Sequence, residues 1–386
     1  MLLGVFGRNS YRKIFVEIRM NSSAIDSLPL SFWKNRSVFL TGHTGFKGSW
    51  LSVLLTRLGA QVHGFSLSPP TTPSVFEEAH LSSHIASSTI GDIRDRKALE
   101  AAFIKSKATI GFHLAAQPMV LSSYEDPFET YDVNVSGTVS FLDVARKINS
   151  IQSCVVITTD KCYENKEWNW PYRETDTLGG HDPYSNSKAC CELVVHSFQK
   201  SFFLSQGSGV NPIGLATARA GNIIGGGDWG KYRLLPDFFR AYKNNETLSI
   251  RNPDAVRPWQ HVLEPLMGYC RLAQATALSP EGFSSGWNFG PDEALVKSVR
   301  EVIETLKRNA KTKVSVNIDQ EKKKLHEAQL LRLDCSKARN ELGWRPVLNF
   351  DESIDLTLSW YERWMNNSSA LELMQEQVEL YLEKII

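Results

Sequence analysis

Eleven tyrosines occur in the 386 residues, and only Tyr184 has a lysine, Lys188, four positions on. On a helix, residues i and i+4 share a face, so the Lys188 ammonium can stand beside the Tyr184 phenol. A neighbouring cation lowers a phenol pKa from about 10 toward working pH and turns it into a usable base. Such a pair arises easily by chance and gains meaning only from its surroundings. Upstream lies Thr158-Thr159-Asp160-Lys161, at the end of the apolar run Val155-Val156-Ile157. Thr159 can hydrogen-bond a substrate hydroxyl, with Asp160 as proton donor and Lys161 as a charge beside it. A helix cap and a solvated lysine would use the same letters, but an Asp-Lys pair at the end of a buried strand favours chemistry.

A third group is the G-x-x-G-x-x-G run of Gly42, Gly45 and Gly48, which also holds His43, Phe46 and Lys47. Glycines at a strand-to-helix turn allow close backbone approach, and the helix start offers N–H groups to a pyrophosphate. Three glycines alone could be a plain tight turn, but the flanking patterns favour a dinucleotide. Lys47 can meet a phosphate or sit solvated. Asp92, with Ile93, can face an adenine edge, or Asp92 can simply cap a helix. The second strand ends Phe65-Ser66-Leu67-Ser68 without a carboxylate, so charge alone does not separate NAD from NADP.

These groups need a frame that brings strand ends together. The spacing predicts strands at 37–41, 61–65, 110–114, 151–159 and 213–219, with a third strand leading to Gly91-Asp92. Helices are expected from Trp50 to Leu58, up to Lys105, over 128–147 and over about 184–203, with loop and a short helix at 66–87. Strands alternating with such helices specify an α/β fold, a Rossmann-like doubly wound parallel sheet. After residue 221 helices predominate, near 233–243, 260–277, 296–308 and 350–366. The expected organisation is an N-terminal arm at 1–31, disordered and of doubtful start, since Met20 is a second possible initiator; a cofactor-binding domain at 32–221; a smaller, mainly helical substrate lobe at 222–366, interleaved with the first; and a C-terminal helix within 367–386.

Composition narrows the classes. Lys+Arg number 43 against Asp+Glu 42, so no basic field draws the chain to nucleic acid or membrane. Six cysteines show no CxxC and no zinc-type spacing with histidine, so free thiols of a cytoplasmic protein are expected and no metal. No apolar run approaches the roughly 18 residues of a membrane span, and the apolar start lacks a basic n-region.

Several runs together resemble a known family. Thr41-Gly42-His43-Thr44-Gly45-Phe46-Lys47-Gly48-Ser49-Trp50, His113-Leu114-Ala115-Ala116-Gln117-Pro118, Thr158 through Asn165, Gly179 through Lys188, and Arg257-Pro258-Trp259-Gln260-His261-Val262 are similar to CDP-glucose 4,6-dehydratases. These belong to the extended short-chain dehydrogenase/reductase family, and the likeness spans roughly 32–366. The related dTDP-glucose and GDP-mannose dehydratases carry Thr-Asp-Glu or Ser-Ser-Glu where this chain has Thr159-Asp160-Lys161.

The resemblance implies NAD as cofactor and CDP-glucose as substrate. Tyr184, aided by Lys188, would take the 4-hydroxyl proton as hydride leaves C4 for NAD. Asp160 would protonate the departing 6-hydroxyl. Lys161 stands where relatives keep the glutamate that removes the C5 proton, which leaves the C5 base open. Gly42, His43, Gly45, Phe46, Lys47, Gly48, Asp92, Ile93, Ala115, Ala116 and Gln117 match cofactor-side positions. Asn222, Arg233 and Arg257 match substrate contacts, Arg257 as the fork on the diphosphate. The family also implies a homodimer or dimer of dimers, and 3,6-dideoxyhexoses of surface polysaccharide such as O-antigen downstream. A 4-epimerase would not need the Asp160 acid, and a redox sensor would not need the Tyr184/Lys188 pair.

Overall fold

The computed structural model of the protein describes residues 29–204, 211–250, 252–292, 296–310, 314–318 and 330–385. The expected arm at 1–31 lies outside these as far as residue 28. Strands β1 (Ser37–Thr41), β2 (Gln61–Ser66), β3 (Ser87–Ile90), β4 (Ile110–His113), β5 (Ser153–Ile157) and β6 (Gly214–Arg219) form one sheet with the strand Gly286–Asn288. The order across it is Gly286–Asn288, β6, β5, β4, β1, β2, β3, and every pairing is parallel. The order reverses between β1 and β4, which makes the carboxyl ends of those strands the natural crevice for a ligand.

Both faces of the sheet's middle are covered, so the central strands β1, β4 and β5 are buried along nearly their whole length, while β3 is polar and partly exposed. Along β1, Val38 and Leu40 point into the cluster that holds Trp50, Leu51, Leu54 and Leu55 of the helix Phe46–Arg57. Phe39 points the other way, into Phe65, Phe103 and Phe141, as the two-residue period of a strand requires. Thr41 joins the strand ends at the reversal. Its hydroxyl is 2.8 Å from His113 Nδ1 and accepts the backbone N–H groups of Leu114 and Ala115.

Helix ends follow local chemistry. Asp182 caps the helix Pro183–Phe198 by accepting the Ser185 N–H at 2.9 Å, and Pro183 opens its first turn. The long helix expected at 128–147 is three successive pieces, Pro127–Tyr131, a π turn Asp132–Ser136 and Gly137–Ala145. The later segment contributes the edge strand Gly286–Asn288 to the first segment's sheet. The C-terminal helix Ala370–Ile385 returns to the helix Phe46–Arg57, where Arg57 pairs with Glu379. Among the described residues no helix is long and apolar enough to cross a membrane.

Candidate active site

The glycine turn is built so that nothing larger fits. A Cβ on Gly48 would stand 2.1 Å from the Gly42 carbonyl oxygen, and one on Gly42 would stand 2.7 Å from the Ala115 nitrogen. Gly42 also has a φ of +77°, which glycine adopts without strain. Gly45 stands at the N-cap of the helix Phe46–Arg57 and no side chain caps it, leaving the first-turn N–H groups and the positive dipole end for an anion. The turn opens on a cavity of about 950 Å³. Gly42, Gly45, Phe46, Lys47 and Gly48 line it from one side, and Asp92, Ile93, Ala115, Ala116, Tyr184 and Lys188 from the others. The cradle and the cavity suit a dinucleotide.

Two residues expected there face elsewhere. The His43 ring is buried against β2 and β3, where it fills the place a Cβ on Gly64 would take, and its Nε2 is 2.7 Å from the Ser88 hydroxyl. Burial pushes its pKa down to about 4, so the ring is a neutral packing element. The Gln117 side chain donates to Thr130 Oγ1 at 2.8 Å and accepts the Met119 N–H, while its backbone N–H bonds Asn134. It shapes the turn after β4 and does not line the cavity. Asp92 does line it, with its carboxylate in the Arg94 fork, which lowers its pKa.

A second cavity, of about 320 Å³, adjoins the first and is lined by Thr159, Asp160, Lys161, Asn222, Arg233 and Arg257. Lys47, Thr158, Tyr184, Asp228 and Arg233 line both cavities, which places the phenol at their seam. The Thr159 hydroxyl donates to Asp160 Oδ1 at 3.0 Å and lies next to the Tyr184 phenol. Asp160 is buried, and its Oδ2 has no hydrogen-bond partner among the described residues. Arg233 donates to Asp228 Oδ2 at 2.9 Å, and that carboxylate holds its pKa up. Arg257 is nearly buried, with Nη1 donating to the Val256 carbonyl, and Asn222 has a left-handed φ of +43°.

The expected depression of the Tyr184 pKa is absent. Burial pushes the phenol up to about 12, outweighing the Thr159 hydrogen bond that pulls it down. Lys188 stands under the phenol's helix face, but its Nζ donates to the Ile157 carbonyl at 3.2 Å, and burial lowers its own pKa. Desolvation therefore decides the phenol, so the ligand-free protein keeps it protonated. Lys47, at the seam, is lowered to about 8, first by burial and then by Arg233 and Lys188.

Three features escaped the sequence reading. Asp228, which holds Arg233, sits in a glycine run that reads only as a break. Gly221 precedes the singled-out Asn222 and makes room for Asp160. Glu192, bound to Arg219, lies four residues past Lys188, so its signal was the continued one-turn spacing from Tyr184.

Residues 39–357 match the family of GDP-mannose 4,6 dehydratase. Over 352 residues the chain is 46% identical to the CDP-glucose 4,6-dehydratase of Salmonella typhimurium, covering 91% of this chain and 98% of that protein. Human GDP-mannose 4,6 dehydratase is 25% identical over 350 residues, or 83% of this chain and 90% of its own. Among solved structures, the NAD-bound UDP-glucose-4-epimerase of Stenotrophomonas maltophila superposes with a TM-score of 0.74 at 21% identity, covering 86% of this chain and all of that one. The NAD complex of Bacillus anthracis dTDP-glucose 4,6-dehydratase gives 0.69 at 21%, over 85% and 97%. At that identity these structures speak for the fold.

Proposed function

The chain belongs to the GDP-mannose 4,6-dehydratase family of the extended short-chain dehydrogenases/reductases, and on that premise we propose that it converts CDP-glucose to CDP-4-dehydro-6-deoxyglucose and water with NAD as cofactor. One observation carries the reading: a buried carboxyl group, Asp160, bonded to Thr159 next to the Tyr184 phenol and lining the smaller cavity. Interconverting a 4-hydroxyl needs the phenol alone, whereas losing a 6-hydroxyl needs an acid as well. The likeness to the Salmonella protein supports CDP-glucose as the sugar nucleotide.

The glycine turn would hold the cofactor's pyrophosphate, with Asp92, Ile93, Ala115 and Ala116 along its cavity. NAD, when bound there, would supply the hydride chemistry between C4 and C6 of the sugar. Tyr184 would hold the 4-hydroxyl and take its proton once the loaded complex, unlike the ligand-free protein, holds the phenol deprotonated, with Thr159 beside it. The 4-ketone acidifies the C5 proton. Lys161, on the wall of the smaller cavity, is the candidate to take it, and a proton must return to C5 as hydride reaches C6. Asp160 gives a proton to the departing 6-hydroxyl. Asn222, Arg233 and Arg257 would bind the nucleotide end, Arg233 held in place by Asp228.

In the same reading, residues 32–221 carry the cofactor and 222–366 the sugar nucleotide. Copies pair through the helix Pro183–Phe198 and the turn after it, where Leu193 and Phe202 are exposed; the pair, or a dimer of such pairs, works in the cytoplasm toward deoxysugars of surface polysaccharide. Purified protein with NAD and each of CDP-glucose, dTDP-glucose, GDP-mannose and UDP-glucose tests the substrate by mass spectrometry. Loss of one water from CDP-glucose alone is expected. Turnover of a different nucleotide would discard the cytidine assignment.

A further inference from the structure

Behind the Thr159-Asp160-Lys161 turn lies a buried ion pair that none of these steps uses. Glu192 follows Lys188 by four residues on the helix Pro183–Phe198, so it shares the face of Tyr184 and Lys188. Its carboxylate accepts two bonds from Arg219 of β6, from Nε at 2.9 Å and Nη2 at 2.7 Å. It also accepts the hydroxyls of Thr158 at 2.5 Å and Thr217 at 2.6 Å. Burial would raise this carboxyl, but Arg219 and the two threonines outweigh it and its pKa ends below the ordinary value. Arg219 Nη1 reaches on to the Tyr163 hydroxyl at 2.7 Å, which donates to Asn288 Oδ1 at 2.7 Å.

Thr158 stands immediately before the turn and Tyr163 two residues after Lys161. One ion pair thus holds both ends of the segment that presents Asp160 and Lys161 to the cavity. A buried pair is weak evidence for stability, since apolar replacements often serve as well. A fully satisfied network does, however, fix one arrangement of what it touches. Tyr184 sits on the helix that carries Glu192 but near its other end, where the cap at Asp182 holds it independently of the clamp.

We propose that Glu192 and Arg219 are positioning residues for the elimination of water, clamping the Thr159–Lys161 turn from both ends so that Asp160 and Lys161 are in register with the sugar. This rests on the dehydratase reading. Oxidation at C4 draws on Tyr184, which loses at most its Thr159 contact when the clamp loosens, whereas elimination needs both Asp160 and Lys161 in place.

Tyr163→Phe deletes one hydroxyl of the clamp and leaves the ion pair, while Glu192→Gln breaks it. Single-turnover mixing with NAD and CDP-glucose separates the steps, with nicotinamide absorbance reading C4 oxidation and mass spectrometry reading loss of water. The expected result is oxidation within about threefold of wild type and water loss slowed roughly 10²-fold, the scale of an ångström of misplacement. Reduced nicotinamide should then accumulate above the level wild type reaches. Thermal unfolding identifies folded variants, and Tyr163→Phe, which removes no charge, serves where Glu192→Gln does not fold. Equal slowing of both steps, or slowing of neither, in a folded variant overturns the clamp. Failure of the wild type to release water overturns the dehydratase reading itself, and is seen before any variant is compared.

Discussion

Asp160 and Gly221 occupy one space: a Cβ on Gly221 would stand 1.8 Å from Asp160 Oδ2 and 2.3 Å from its Cγ. The carboxylate can line the smaller cavity only because the residue after Ala220 has no side chain. Gly221→Ala is expected to fold with a loss of about 1–3 kcal/mol, as for other overpacked sites. It should slow the loss of water roughly 10²-fold by turning Asp160 out of register. Mass spectrometry of the product, with thermal unfolding as the control, measures both.

Tyr184→Phe removes the group that takes the 4-hydroxyl proton and should stop turnover at its first step. The expected fall is about 10²–10⁴-fold, with no reduced nicotinamide formed on mixing with CDP-glucose. This separates it from the Gly221 variant, which still oxidises C4.

Burial sets the state of that phenol before ligands arrive. With its pKa pushed up to about 12, Tyr184 should remain a neutral phenol in the cofactor-free protein from pH 6 to 9. An ultraviolet difference titration of wild type against Tyr184→Phe should show no phenolate in that range. A phenolate titrating near pH 7 would mean that Lys188 acts on the phenol more strongly than desolvation does.

Gly48→Ala aims at the cofactor alone. Its Cβ would stand 2.1 Å from the Gly42 carbonyl oxygen, so the turn must open. NAD affinity measured by calorimetry should fall at least tenfold, about 1.4 kcal/mol, while circular dichroism stays native.

A pH dependence of stability arises far from the chemistry, at Glu264. Its buried carboxylate accepts the N–H groups of Val347 and Leu348 and the Tyr381 hydroxyl, with Glu352 adding a like charge. Burial dominates and raises it from 4.5 to about 7. The folded chain therefore holds this proton where the unfolded chain has lost it. The contribution is full below about pH 4.5 and is lost as the pH rises through about 7, a span worth on the order of 3 kcal/mol. Glu264→Gln keeps the side-chain size and removes the titration, so its melting temperature should vary less than wild type between pH 5 and 8.

Much of this was legible in the sequence because the signals were periodic. Continuous apolar strands and helices of ordinary length announced a parallel sheet, and strands β1, β2, β4 and β6 lie where alternation and glycine placed them. The helix expected at 128–147 has a π turn at Asp132–Ser136, which no periodicity marks. Of the site, the residues that reach the cavities through backbone or strand ends were readable, such as Gly42, Asp160 and Tyr184. His43 and Gln117 were not, because their outcome depends on a neighbour: His43 swings into the gap left by Gly64, and Gln117 is taken by Thr130 and Met119. The Tyr184 pKa failed for the same reason, since spacing reports the nearby charge but not the water removed from around it.

The measurement that bears most directly on the reaction uses CDP-glucose carrying deuterium at C4, incubated with the protein and catalytic NAD. The account predicts a product one water lighter, with the deuterium recovered at C6 and no net reduction of cofactor. Deuterium still at C4 of an intact or epimerised sugar would contradict it.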